Sequence, residues 1–263
     1  MPYTHGVDHR AGGHGAGALQ RRTRAVVGPV VKRLWRIARE GYDRLPADGP
    51  AILCPNHISF LDSAFLMLTL PRNISFVGKA EYMDSWKTKF IFPAMGMIPI
   101  DRSGGAKSLV ALDAAEEVLA NGELFGIFPE GTRSRDGLLY RGRTGAARLA
   151  MKIDCPIFPV GIVGTDRIQP PDAKFPKPFR DCTIRIGRPI MPGRYRDRPP
   201  RVVYRSMMDE VMFEIRELTG QVYRDVYAGR QPESEPSVPA RVATVEEIDV
   251  PVGGRQLVAV GGW

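Results

Sequence analysis

An α/β domain with a mostly parallel or mixed central sheet flanked by helices is the fold this sequence predicts. Three observations predict it. From residue 46 onward, short apolar runs of strand length alternate with stretches of helical periodicity. Apolar residues make up 43% of the 263-residue chain, enough for a sizeable core. Unusually polar segments follow several of the apolar runs, at the strand ends where α/β folds build their sites.

Each element has a local reason. Residues 1–24 form a Gly- and His-rich basic arm without periodicity at its start, read as disordered; His5, His9 and His14 belong to a flexible tail rather than a metal site. Val27, Val30, Val31, Leu34, Trp35, Ala38, Tyr42 and Leu45 recur at three- and four-residue steps, which predicts an amphipathic helix over about 27–45 with Pro29 in its first turn. AILC (51–54) reads as a buried strand, SFLDSAFLMLTL (59–70) as a helix and ISFVGK (74–79) as a strand. Residues 86–96 read as a helix halted near Pro93, and 97–101 as a short strand. The 106–120 helix is closed by Asn121-Gly122. Strands follow at 124–128, 156–163 and 182–187, with helices at 145–153 and 204–220. The domain is thus expected over 25–228, its motif-bearing core over about 46–190, and residues 229–263 read as a partly disordered tail.

Charge narrows the partners. Net charge is +8, and residues 1–39 contribute +7 of it, from eight Lys or Arg against one acid. Such an arm suits an anionic membrane surface; without interleaved aromatics or a nucleic-acid motif it does not point to nucleic acid. No apolar run approaches the roughly 20 residues that span a bilayer. The N-terminus lacks the apolar core of a signal peptide. Three cysteines without metal spacing suggest reduced thiols, so a cytoplasmic, peripheral protein is expected, with no metal or other cofactor.

Four segments carry candidate chemistry. In PNHISFLD (55–62), His57 and Asp62 stand five residues apart, about 140° around a regular helix. They can meet if His57 precedes the helix and Asp62 lies in its first turn. Ser59 and Asp62 equally form a capping box, and spacing leaves both readings open. In IDR (100–102), Arg102 forms a local ion pair with its neighbouring acid or holds an anion. In FPEGTRSRDG (128–137), Gly131 permits close backbone approach and Thr132 offers a donor. Arg133, with Arg135, offers a planar fork for phosphate, and Glu130 is placed to hold those arginines or a substrate hydroxyl. PIFPVGI (156–162) reads as a buried strand or pocket wall.

Taken in order, NHISFLD, GMIPIDR, FPEGTRS and PIFPVGI resemble the four blocks of the glycerolipid acyltransferases, over about residues 46–190. The nearest members are the 1-acylglycerol-3-phosphate acyltransferases. The sequence departs from them at Ile58, where polar residues are frequent, and at Arg143, where Lys is common. The resemblance implies an O-acyltransferase moving a fatty acyl group from acyl-CoA or acyl carrier protein to a lysophospholipid hydroxyl. It implies His57 as general base assisted by Asp62, and Arg102, Glu130, Gly131, Thr132 and Arg133 as acceptor-binding residues. Another lysolipid, a glycolipid or an amino lipid would keep the fold and change the acceptor. A lipid-binding protein without turnover is the reading from a different class, and it has no use for a base.

Overall fold

The computed structural model describes residues 13–79, 96–100, 107–171, 173–197 and 199–228. Residues 86–95 of the expected helix, Asp101 and Arg102, the first twelve residues of the arm and the tail beyond 228 lie outside them.

Strand and helix alternate as the apolar pattern predicts. The elements are α1 (Gly13–Leu34), β1 (Trp35–Glu40), β2 (Ala51–Pro55), α2 (Leu61–Thr69), β3 (Ile74–Lys79) and β4 (Met97–Ile100). They continue with α3 (Lys107–Ala120), β5 (Leu124–Gly126), β6 (Leu139–Tyr140), α4 (Gly145–Ile153) and β7 (Ile157–Val163). Last come α5 (Thr165–Ile168), β8 (Arg180–Ile186), α6 (Pro200–Thr219) and β9 (Tyr223–Arg224). Seven strands form one sheet in the order β1-β8-β7-β2-β5-β3-β4. The run from β7 to β4 is parallel. β8 is antiparallel to β7 and parallel to β1, so these last two strands run against the other five. β6 and β9 form a separate two-stranded ribbon.

Both faces of the sheet are covered, which is why AILC reads as unbroken apolar sequence rather than alternation. Ala51 and Leu53 point into one core with Phe65, Leu66 and Trp35. Ile52 and Cys54 point into the other with Leu119, Leu149 and Met207. α6 lies so close to β7 that a Cβ on Gly161 would come within 2.6 Å of Leu218 Cβ. The three cysteines are unpaired and buried.

The N-terminal helix differs from its expected position. α1 starts at Gly13, inside the arm read as disordered, and ends at Leu34 rather than near residue 45. Pro29 therefore lies within it, not in its first turn. Trp35–Glu40 instead pairs with Arg180–Arg185 as an edge strand. Trp35 and Ile37 satisfy a period of two whereas Trp35 and Ala38 satisfy the helical one, and the sheet edge supplies the backbone partners that decide between them. Gly41, at φ 70°, then ends the strand; a Cβ there would sit 2.3 Å from the Ile186 carbonyl oxygen. That glycine is the sequence signal against a helix running through to Leu45.

α1 is held by polar contacts as much as by its apolar stripe. The buried Gln20 side chain donates to the Ile74 carbonyl and accepts from the Ile74 amide, at 2.7 and 3.2 Å. Arg24 donates to the carbonyls of Met67 and Arg72. Val31 is buried, whereas Val26, Val27 and Val30 are exposed. No helix among the described residues is long and apolar enough to cross a membrane. Gln20→Ala strands two buried backbone groups of β3 and should lower stability by about 2 kcal/mol, read as a reduced urea midpoint with unchanged slope.

Candidate active site

The site sits at the carboxyl end of β2. Asn56 follows the strand and is fully buried. Its amide accepts from the Ile162 backbone at 2.7 Å and donates to the Ile162 carbonyl at 2.9 Å, clamping β2 to β7. A second donation reaches Gln221 Oε1 at 2.9 Å, and Gln221 Nε2 donates onward to the Gly137 carbonyl. The chain therefore leaves β2 in a fixed direction, and the next residue is His57.

His57 lies in the turn before α2 and Asp62 in the helix's first turn, the arrangement in which the two can meet. His57 Nδ1 is 2.8 Å from Asp62 Oδ2. The same oxygen accepts from the amides of Ile58 and Ser59, at 2.8 and 2.9 Å. Oδ1 accepts from the Thr165 hydroxyl at 2.6 Å. Four donors thus converge on a carboxylate with no exposed surface. Such a carboxylate orients the imidazole with Nδ1–H toward it and leaves Nε2 as the nitrogen for a substrate. The His57 side chain keeps 18% of its surface exposed. Its ring stacks on Phe128, centroids 3.8 Å apart and planes inclined by 21°.

The capping reading holds in part: Asp62 reaches back to the Ser59 amide, while Ser59 Oγ accepts from the Leu61 amide at 3.4 Å, one residue short of the box's usual partner, and donates to the Gln169 carbonyl at 3.1 Å. The carboxylate that begins the helix is the one that holds the histidine, so the two readings of the motif describe one residue.

The 128–134 turn closes on His57 from the other side. Glu130 is buried; Oε1 accepts from the His57 amide at 3.1 Å and Oε2 from the Tyr140 amide at 3.0 Å. The Ser134 amide donates to the His57 carbonyl at 2.7 Å. Glu130 therefore braces the backbone at His57 and at Tyr140. Burial pushes its carboxyl up to about 7, against the two amide bonds that pull it down. Gly131 takes φ 77°, the left-handed conformation suited to glycine. A Cβ there would meet Arg143 Nε at 2.9 Å, so the Arg143 side chain lies against this turn. Arg143 also reaches the Tyr227 ring, 5.5 Å from its centroid. Gly131, Thr132 and Arg133 are exposed on the same turn.

The structure thus brings His57, Asp62, Glu130, Gly131, Thr132 and Arg133 to one place, and Arg102 lies outside the described residues. Sequence reasoning missed Asn56's clamp, Thr165, Gln221 and the Phe128 stack. Thr165 follows the fourth block directly, in VGTD, and its polarity after a buried strand is the one signal that points to it. Among the described residues, no group of three or more His, Cys, Asp or Glu is placed to hold a metal ion.

Residues 36–163 match the Acyltransferase family model. The chain is 31% identical over 157 residues to a chloroplastic 1-acyl-sn-glycerol-3-phosphate acyltransferase of Arabidopsis thaliana, covering 59% of this chain and 44% of that protein. It is 28% identical over 158 residues to the alpha 1-acyl-sn-glycerol-3-phosphate acyltransferase of Mus musculus, covering 59% and 55%. The chain spans about half the length of these curated relatives. In fold it resembles the crystal structure of the 1-acyl-sn-glycerophosphate acyltransferase of Thermotoga maritima, with a TM-score of 0.58 at 23% identity over 76% of this chain and 82% of that one. β8, α6 and the segment after α6 fall beyond the family match.

Thr165→Val leaves Asp62 without its hydroxyl donor and should lower stability by about 2 kcal/mol, measured by urea denaturation. Glu130 gives a pH-dependent outcome. With its folded value raised from 4.5 to about 7, the native state holds a proton that the unfolded chain has released. Its contribution to stability therefore falls as pH rises through that window. The stability of wild type relative to Glu130→Gln should decline from about pH 4.5 to 7 and level off on either side, by no more than about 1.4 kcal/mol per pH unit.

Proposed function

Because this chain belongs to the glycerolipid acyltransferase family, we propose that it transfers a fatty acyl group from an acyl thioester to the free hydroxyl of 1-acyl-sn-glycerol 3-phosphate, giving phosphatidic acid. The observation that carries the proposal is the His57–Asp62 pair at 2.8 Å, fixed on both sides and placed at a strand end. A hydroxyl is a poor nucleophile at neutral pH, and an oriented imidazole with a free Nε2 is the group that remedies this.

The reaction needs no covalent enzyme intermediate. The acceptor oxygen attacks the thioester carbonyl as its proton passes to His57 Nε2. Asp62 stabilises the imidazolium that forms, as in a triad whose serine is replaced by the substrate hydroxyl. The tetrahedral intermediate collapses by breaking its C–S bond, and the departing thiolate takes the proton from His57. Atoms and charge then balance: an ester and a free thiol leave, and the histidine is neutral again.

Acceptor binding falls to the 131–133 turn. Arg133, the Thr132 hydroxyl and the exposed backbone at Gly131 offer a cation and donors to a phosphate, with Arg102 as a further cation from the second block. Glu130 supports the turn from beneath. The acceptor is a bilayer lipid, so the chain works peripherally at an anionic membrane on its cytoplasmic face. The exposed Val26, Val27 and Val30 of α1, flanked by the exposed Arg21, Arg22, Lys32 and Arg33, suit that surface. The donor is acyl-CoA or acyl carrier protein; no resident cofactor takes part.

Purified protein with palmitoyl- or oleoyl-CoA and a panel of lysolipids, followed by thiol release, tests the proposal. Highest kcat/KM is expected with 1-acyl-sn-glycerol 3-phosphate, and a preference for a phosphate-free acceptor would overturn the assignment. His57→Ala should lower kcat by roughly 10²–10⁴-fold in a chain that still unfolds cooperatively, at a lower melting temperature because Asp62 loses one of its donors. Arg133→Ala should chiefly raise the acceptor KM, because it removes a contact made in ground and transition state alike. An unchanged KM would move the phosphate to Arg102 or Arg143.

A further inference from the structure

Between α5 and β8, residues 173–179 read AKFPKPF. Phe175 and Phe179 are 80% and 77% exposed, the most exposed large apolar side chains among the described residues. Burying such rings is the ordinary outcome of folding, and two left in water on one short segment mark an interaction surface. Phe179 has φ 57°, in the left-handed region that a bulky aromatic residue rarely enters. Such a backbone persists only where its surroundings fix it, and here the Phe179 amide donates to the Leu34 carbonyl at 2.7 Å.

The segment is rigid and placed between two parts of the molecule already described. Pro176 and Pro178 restrict its backbone. Trp35 Nε1 donates to the Lys177 carbonyl at 2.8 Å, tying it to the end of α1. Its other end follows Gln169, whose carbonyl accepts from Ser59 Oγ, and α5, whose Thr165 holds Asp62. Because β1 runs against β2, the start of β1 and the end of β2 lie at the same end of the sheet. The two phenylalanines therefore stand at the active-site end.

Charge selects the partner. Residues 173–180 contain Lys174, Lys177 and Arg180 and no acid. Protein interfaces are depleted in lysine, whereas lysine beside exposed phenylalanine is the composition of a segment that enters an anionic bilayer surface. We propose that residues 173–179 are a membrane anchor, separate from α1, in which Phe175 and Phe179 enter the acyl boundary of an anionic leaflet while Lys174, Lys177 and Arg180 meet its headgroups. The inference rests on the reading of this site as one that acts on a bilayer lipid. It adds that the bilayer is engaged on both sides of the β1 edge, by α1 and by this segment, so that the active-site end faces the leaflet.

The test is flotation of the full chain with vesicles of phosphatidylglycerol and phosphatidylcholine, and with phosphatidylcholine alone. Wild type should float with the anionic vesicles and less so as salt rises. Phe175→Ser/Phe179→Gly should lower the partition coefficient roughly a hundredfold, about tenfold for each ring withdrawn. Glycine suits φ 57°, so Phe179→Gly alone should lose partition while its melting temperature holds or rises. A double variant that floats within about threefold of wild type overturns the anchor while leaving the lipid-surface reading intact. A wild type that does not float overturns both, whereas the thiol-release assay judges the acyltransferase reading independently. Light scattering closes the remaining route: a wild-type dimer that the Phe175→Ser variant converts to monomer would make the segment an interface between copies and overturn the anchor.

Discussion

The Asp62 carboxylate has no exposed surface and accepts four hydrogen bonds: from His57 Nδ1, the amides of Ile58 and Ser59, and the Thr165 hydroxyl. Burying a carboxylate is tolerable only when its lone pairs are taken, so these donors are a condition of the fold as well as of the chemistry. Three come from the turn that precedes α2, and they shape it. The fourth comes from α5, which ties the end of β7 to the start of α2. One group thus starts a helix, orients an imidazole and joins two adjacent strand ends.

Glu130 repeats this design on the opposite side. Its two oxygens take the amides of His57 and Tyr140, and the Ser134 amide returns a bond to the His57 carbonyl. The histidine is therefore fixed by its backbone as well as by its ring, with Phe128 stacked against the imidazole. A general base acts over a hydrogen-bond distance, and a displacement of an ångström is costly. Two buried carboxyl groups and an aromatic face supply the rigidity that the role proposed for His57 demands.

The support extends past the segment shared with the family. The short stretch after α6 lays β9 along β6 and sends Gln221 between Asn56 and Gly137. The Arg141 amide donates to the Val226 carbonyl, and Tyr227 lies against Arg141 and Arg143. A segment far along the chain therefore braces both the residue before His57 and the turn that faces it.

Much of this was legible in the sequence because it is local. Apolar runs of strand length, helical spacing and Asn121-Gly122 located most elements, and the five-residue interval from His57 to Asp62 placed them as a pair that can meet across a helix start. What reached beyond local spacing was decided by tertiary structure alone. Trp35–Glu40 fits a helix and a strand equally, and the free edge of β8 made it a strand. Glu130 stands among arginines in sequence, yet its oxygens bond the His57 and Tyr140 amides, the first of them 73 residues away. Thr165 meets Asp62 across 103 residues and Gln221 meets Asn56 across 165. Periodicity and spacing describe a chain's neighbours along itself, whereas a buried polar group is satisfied by whichever partner the packing of the sheet brings to it.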